Sequence, residues 1–157
     1  MVTLAGALVS TLLLAGCDLP RDAVLTEKFK QSRNDIEHLR RMAEEDDVRG
    51  RIHTNYADPK LPEARLAEYR RLMHSSGIIR LYANGRQQPL ELLVDGNGFL
   101  AQGDYKGYLY NPSESAHSAA SLDVSCFEIA EAKKEERSCS AVRSLGDRWW
   151  LIRSEYR

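Results

Sequence analysis

The chain has 157 residues, enough for one domain and too few to expect two. Its 22 Lys and Arg nearly cancel its 23 Asp and Glu, and a net charge of −1 excludes both a strongly basic nucleic-acid binder and an acidic disordered tail. None of those charges lies in the first 16 residues, so the remainder reads as a globular body with a charge-rich surface.

Met1 to Gly16 reads MVTLAGALVSTLLLAG, an apolar run of about 14 residues. That is shorter than the roughly 20 residues a membrane-spanning helix needs. The run ends in small residues and passes at once to Cys17, Asp18, Pro20 and Arg21, the pattern of a secretory signal. A helix apolar all round would have no polar face to show solvent. Leu14-Ala15-Gly16-Cys17 resembles the lipobox of bacterial lipoproteins, in which the cysteine carries palmitate-type acyl chains and the signal is cut before it. The resemblance implies a signal peptide over 1–16, a lipidated tether over 17–21 and a single domain over 22–157. It implies a membrane partner through the anchor and a periplasmic location. Asp18 resembles the signal that retains such proteins in the inner membrane. At about 3.3 Å per residue the tether spans roughly 10–15 Å, which sets the body against the membrane.

From Asp22 to about Val48 the spacing predicts one long helix, with Phe29, Ile36, Leu39 and Met42 on its apolar stripe and Asp22 as its cap. Gly50 ends it, or it runs on to Ile52. Pro62 starts a second helix with stripe Leu66, Tyr69 and Leu72, and Gly77 caps it. From Ile78 the period becomes two. Strands are expected at 78–82, 90–94, 99–102, 107–110, 123–131, 137–145 and 148–153. Asn84-Gly85, Asp95-Gly96-Asn97-Gly98 and Gly146-Asp147 supply the turns. The fold class is α+β: two N-terminal helices packed on an antiparallel meander of about six or seven strands.

Besides Cys17 the chain has Cys126 and Cys139, and an even remainder in an exported chain points to a disulfide. A hairpin closed over Glu131–Lys134 would set the two directly opposite, within bridging distance. Two free buried thiols are the alternative.

No constellation carries catalytic or metal chemistry. Asp95-Gly96-Asn97-Gly98-Phe99 fails the EF-hand pattern because Phe99 stands where an oxygen ligand is needed. His38, His53, His74 and His117 form no ligand pair. Ser113, Ser115, His117 and Asp123 include the residue types of a hydrolase triad but lack a nucleophile elbow. No catalytic residue, metal or cofactor is expected, and no nucleic-acid partner.

Aromatics are the remaining signal. Alternation puts Tyr108 and Tyr110 on one sheet face, and Trp149 and Trp150 on opposite faces. Two helices cover one face of such a sheet, so Tyr108, Tyr110 and one of Trp149 or Trp150 are expected on an uncovered partner surface. KGYLYNP (Lys106–Pro112) and RWWLIRSEY (Arg148–Tyr156) resemble the C-terminal strands of small uncharacterised proteobacterial lipoproteins. That resemblance implies fold and envelope location only. The expected function is a non-catalytic binding or accessory module, not an enzyme, facing another envelope protein or a homodimer mate. The alternatives are an inhibitor or immunity-type lipoprotein against a toxin or wall hydrolase, and an envelope hydrolase.

Overall fold

The computed structural model describes residues 19–99, 102–112, 117–129 and 137–157. Helices α1 (Asp22–Gln31) and α2 (Arg33–Glu45) lead into strand β1 (Arg49–His53) and helix α3 (Glu63–Ser76). Strands β2 (Arg80–Asn84), β3 (Leu90–Phe99) and β4 (Gln102–Tyr110) follow, then the two-residue β5 (His117–Ser118) and the four-residue α4 (Cys126–Ile129). Strands β6 (Ser138–Gly146) and β7 (Trp149–Tyr156) end the chain. The architecture is α+β. All seven strands form one sheet in the order β1-β2-β3-β4-β7-β6-β5. Six of them are antiparallel, and β5 adds to β6 in parallel.

The core lies between the helices and one face of this sheet. Leu25, Phe29, Ile36, Leu39, Tyr69 and Leu72 from the helices meet Ile52, Leu81, Leu92, Tyr108, Trp149 and Leu151 from the strands in one buried cluster. Leu93, Leu109 and Val142 point to the opposite face and are buried there outside that cluster.

Aromatic rings join the two layers. The Phe29 ring sits 5.2 Å from Tyr108 and 5.6 Å from Trp149. Tyr110 packs at 5.0 Å on Trp149, and the Arg40 guanidinium lies 4.9 Å above the Tyr110 ring. The polar ends are satisfied across the layer boundary. Tyr108 Oη donates to the Leu25 carbonyl at 2.9 Å, and Trp149 Nε1 donates to Glu37 Oε1 at 2.7 Å.

Four local expectations are corrected. The single helix over 22–48 is two, bent at Ser32, whose backbone (φ −99°, ψ 10°) leaves the helical region. The bend lets α1 lay Phe29 on the aromatic pair while α2 lays Ile36 and Leu39 beside α3. Helix α2 ends at Glu45, five residues before Gly50, because Asp47 turns left-handed (φ 47°), and residues 49–53 become an edge strand. The DGNG run is no hairpin turn: it continues β3, after a bulge between Leu93 and Asp95, and the reversal falls between Phe99 and Gln102. The Tyr105 ring lies so close over Gly96 and Gly103 that a Cβ on either would collide with it, so glycine is required inside the strands there.

The fourth correction is the strand expected at 123–131. Residues 122–125 are irregular and α4 follows. Glu155 explains this: its carboxylate accepts from the Cys126 N–H at 2.6 Å and from Ser125 Oγ at 2.7 Å, and so caps the short helix from another strand. The helix signals at Pro62 and Gly77 hold, with Gly77 left-handed at φ 64°.

Trp149 is fully buried at the layer junction. Trp149→Ala should therefore cost about 3–5 kcal/mol in urea unfolding, while Tyr108→Phe, which leaves the Leu25 carbonyl without its donor, should cost about 1 kcal/mol. Equal small losses for both would mean that the aromatic junction does not hold α1 to the sheet.

Candidate functional site

Lys106 is the charged residue the fold treats least like a surface group. Period-two alternation places it on the same face as Tyr108 and Tyr110, and it is only 2% exposed. A buried ammonium must be paired and hydrogen-bonded. Its Nζ donates to Asp22 Oδ1 at 3.1 Å, to Asp123 Oδ1 at 2.8 Å and to the Pro20 carbonyl at 3.2 Å, which uses all three protons.

Each carboxylate is held in turn. Asp22 Oδ2 accepts from the Leu122 N–H at 2.7 Å, and Asp123 Oδ1 accepts from the Asp22 N–H at 2.8 Å. Burial alone would raise the Asp123 carboxyl, but the bonds from Lys106 and the Asp22 backbone outweigh it and hold its pKa below the ordinary value. Arg153 completes the frame. It pairs with Asp104 and donates Nη1 to the carbonyls of Leu122 at 3.1 Å and Val124 at 2.6 Å. The first turn of α1, the 121–125 segment and strands β4 and β7 are thus locked together by charge.

A groove of about 400 Å³ opens beside this lock. One wall is the outer side of α1, with Thr26, Glu27 and Lys30; the other holds Ser121, Asp123 and Arg143. Arg143 Nη2 donates to Thr26 Oγ1 at 2.7 Å, and its Nε stands 3.8 Å from Asp22 Oδ2.

The structure redistributes the residues singled out from sequence. Tyr108 and Trp149 are buried under the helices, and Tyr110 is partly buried on the same face. They do not form an uncovered partner surface, because this is the face that α1 and α2 cover. Trp150, half-buried, lies on the other face with Tyr82 and Tyr156, both exposed, and with Tyr105. Tyr105 meets Tyr156 edge-on at 5.9 Å. Cys17 lies outside the described residues.

Cys126 and Cys139 are both buried and stand unbridged in the structure. They are not opposed across a hairpin: Cys126 is on α4 and Cys139 on β6. Burial, with Cys139 nearby, pushes the Cys126 thiol's pKa up. His38 faces Glu68 at 3.7 Å between α2 and α3. His53 stacks on Tyr56 at 4.5 Å, and burial together with Arg80 and Arg51 lowers its pKa. Among the described residues no group of three or more His, Cys, Asp or Glu is arranged to hold a metal.

Sequence reasoning missed the lock because Asp22 reads locally as a helix cap and Lys106 as a surface strand residue. The available signal was Lys106 itself, two residues before Tyr108 and four before Tyr110, on their side of the strand.

No protein-family model, no curated protein and no solved structure matches the chain.

Removing one partner from a buried ion pair is costly, so Lys106→Ala should lower stability by about 3–5 kcal/mol in urea. The folded-state carboxyl of Asp123 titrates below its unfolded value near 3.9. Its contribution is therefore complete above about pH 4 and is lost as pH falls through the folded value. Asp123→Asn should flatten the acid limb of the stability profile; an unchanged limb would remove Asp123 from the lock.

In a Cys17→Ser chain, a thiol-specific reagent should find neither Cys126 nor Cys139 in the native state and both after denaturation. No reactive thiol after denaturation would mean that the pair had been oxidised to a bridge.

Proposed function

We propose that the chain is a lipid-anchored protein of the bacterial cell envelope, held at the periplasmic face of the membrane, and that it works as a non-catalytic binding or accessory module. Asp18 favours the inner membrane. The observation that carries the reading is the shortness of the path from Leu14-Ala15-Gly16-Cys17 to the lock: Lys106 grips the chain at the Pro20 carbonyl and at Asp22. Only Asp18 and Leu19 separate the acylated position from the first gripped residue, a reach of roughly 10 Å. A domain held so closely presents a fixed side to the lipid and its remaining surface to partners at membrane level. Two acyl chains suffice to keep it there.

The surface left for a protein partner is the second sheet face, where Tyr82 and Tyr156 are exposed beside Trp150 and Tyr105. Aromatic side chains with one polar end suit such a contact. Another envelope protein or a second copy of the chain fits this place.

Mass spectrometry of the chain recovered from bacterial membranes tests the anchor. A peptide beginning at Cys17 and carrying acyl chains is expected. An unmodified Cys17 thiol, or a chain that retains Met1, overturns the reading.

A further inference from the structure

Cys126 and Cys139 are buried nucleophilic groups with no part in the lock. The fold brings them together by a route other than a hairpin. Cys139 on β6 is paired directly with Glu155 on β7, and directly opposed strand residues hold their Cβ atoms about 5 Å apart on one face. The Glu155 side chain reaches on to α4, where its Oε1 accepts from the Cys126 N–H at 2.6 Å. Cys126 thus begins its helix one side-chain length from the strand pair that carries Cys139, and α4 packs on β6. The Arg157 guanidinium, 3.7 Å above the Phe127 ring, holds the next residue of α4 to the same end of the sheet. After burial itself, the Cys139 side chain is the strongest influence that pushes the Cys126 thiol's pKa up, as expected of neighbours.

A metal does not account for the pair. Among the described residues no third ligand joins the two sulfurs. Glu155, the carboxylate beside them, is already engaged by the Cys126 N–H, by Ser125 Oγ and by Arg153.

We propose that Cys126 and Cys139 form a reversible disulfide that clasps α4 to β6, and that the chain with two thiols is the reduced end of that equilibrium. The oxidant is another disulfide, either a small one such as oxidised glutathione or that of an oxidised dithiol protein. One cysteine, deprotonated, attacks a sulfur of the oxidant, whose S–S bond breaks as a mixed disulfide forms and a thiolate leaves. The second cysteine loses its proton and attacks the first. The Cys126–Cys139 bond forms, and the oxidant's other sulfur leaves. The chain gives up two electrons and two protons, and the oxidant takes them up as two thiols. Burial disfavours the attacking thiolate, so exchange runs through opening of the four-residue α4. The clasp follows directly on the 121–125 segment that supplies Asp123 to Lys106. Oxidation in the cell rests on the periplasmic location proposed above; the pairing of the two cysteines does not.

The test uses the full-length Cys17→Ser chain in non-ionic detergent, so that only these two thiols are counted. The reduced chain is equilibrated in glutathione buffers of rising oxidised share, with and without mild urea, then quenched in acid, denatured and labelled for mass spectrometry. Both thiols should disappear together, with loss of two hydrogens, no attached glutathione and no covalent dimer. Mild urea should speed the change several-fold. The oxidised chain should melt several degrees above the reduced one, and the difference should vanish in the Cys126→Ser, Cys139→Ser chain.

Thiols that persist in the most oxidising buffer with urea would overturn the pairing. So would glutathione adducts or a covalent dimer in place of the internal bond. An oxidised chain that melts no higher than the reduced one would overturn the clasp. These readouts come from the chain with both cysteines and do not require a variant to fold. Chain recovered from bacterial membranes should carry the bond. Two thiols there, with the bond still forming in glutathione, would overturn oxidation at the periplasmic face and leave the pairing standing. The acylated Cys17 peptide reports the anchor separately.

Discussion

A buried ammonium cannot stay charged in a protein interior unless the chain brings carboxylates to it. Lys106 imposes that requirement on this fold. It sits in the middle of the sheet, between β3 and β7, with its side chain under the start of α1. The two acids that answer it come from 84 and 17 residues away in sequence. Meeting the requirement fixes where α1 begins, where the 121–125 segment runs and how both sit on β4. Arg153 and Glu155 extend the same logic along β7, one gripping the carbonyls of Leu122 and Val124 and the other capping α4.

The charge lock and the aromatic junction divide the work between them. Charges hold the end of the sheet near Pro20, where polar backbone must be accommodated. Phe29, Tyr108, Trp149 and Tyr110 hold the middle, where burial of ring area supplies the stabilisation. The two meet on α1: Asp22 is in its first turn and Phe29 in its last turns, one side of a ten-residue helix serving both. The chain bends at Ser32, so that α1 serves the lock and the rings while α2 packs on α3.

Anchoring near Cys17 and the lock on Pro20 and Asp22 would act on the same few residues. A tether that joins a flexible terminus lets a domain tumble; one that joins a gripped backbone transmits orientation. Under the proposed anchoring, the groove between α1 and the 121–123 segment lies beside the point of attachment, and the second sheet face, with Tyr82 and Tyr156, is a separate surface.

Much of the fold was legible locally. Pro62 and Gly77 bracket α3, the change of period near Ile78 marks the approach to β2, and Gly146-Asp147 turns β6 into β7, because each depends on preferences that the local residues carry, whereas the edge strand β1 gave no such signal. Alternation likewise separated Tyr108 and Tyr110 from Leu109, and Trp149 from Trp150. The sequence could not say which of those sides the helices would cover, since both sides are apolar enough to be buried and the choice depends on where α1 is held. Nor could it show that DGNG would continue a strand, which needs the Tyr105 ring over Gly96 and Gly103, or that 126–129 would be helical, which needs Glu155. The candidate site was the least legible part. Its residues are ordinary surface types at ordinary positions, and they become a lock only when tertiary structure excludes water from Lys106 and leaves Asp22, Asp123 and the Pro20 carbonyl as its partners.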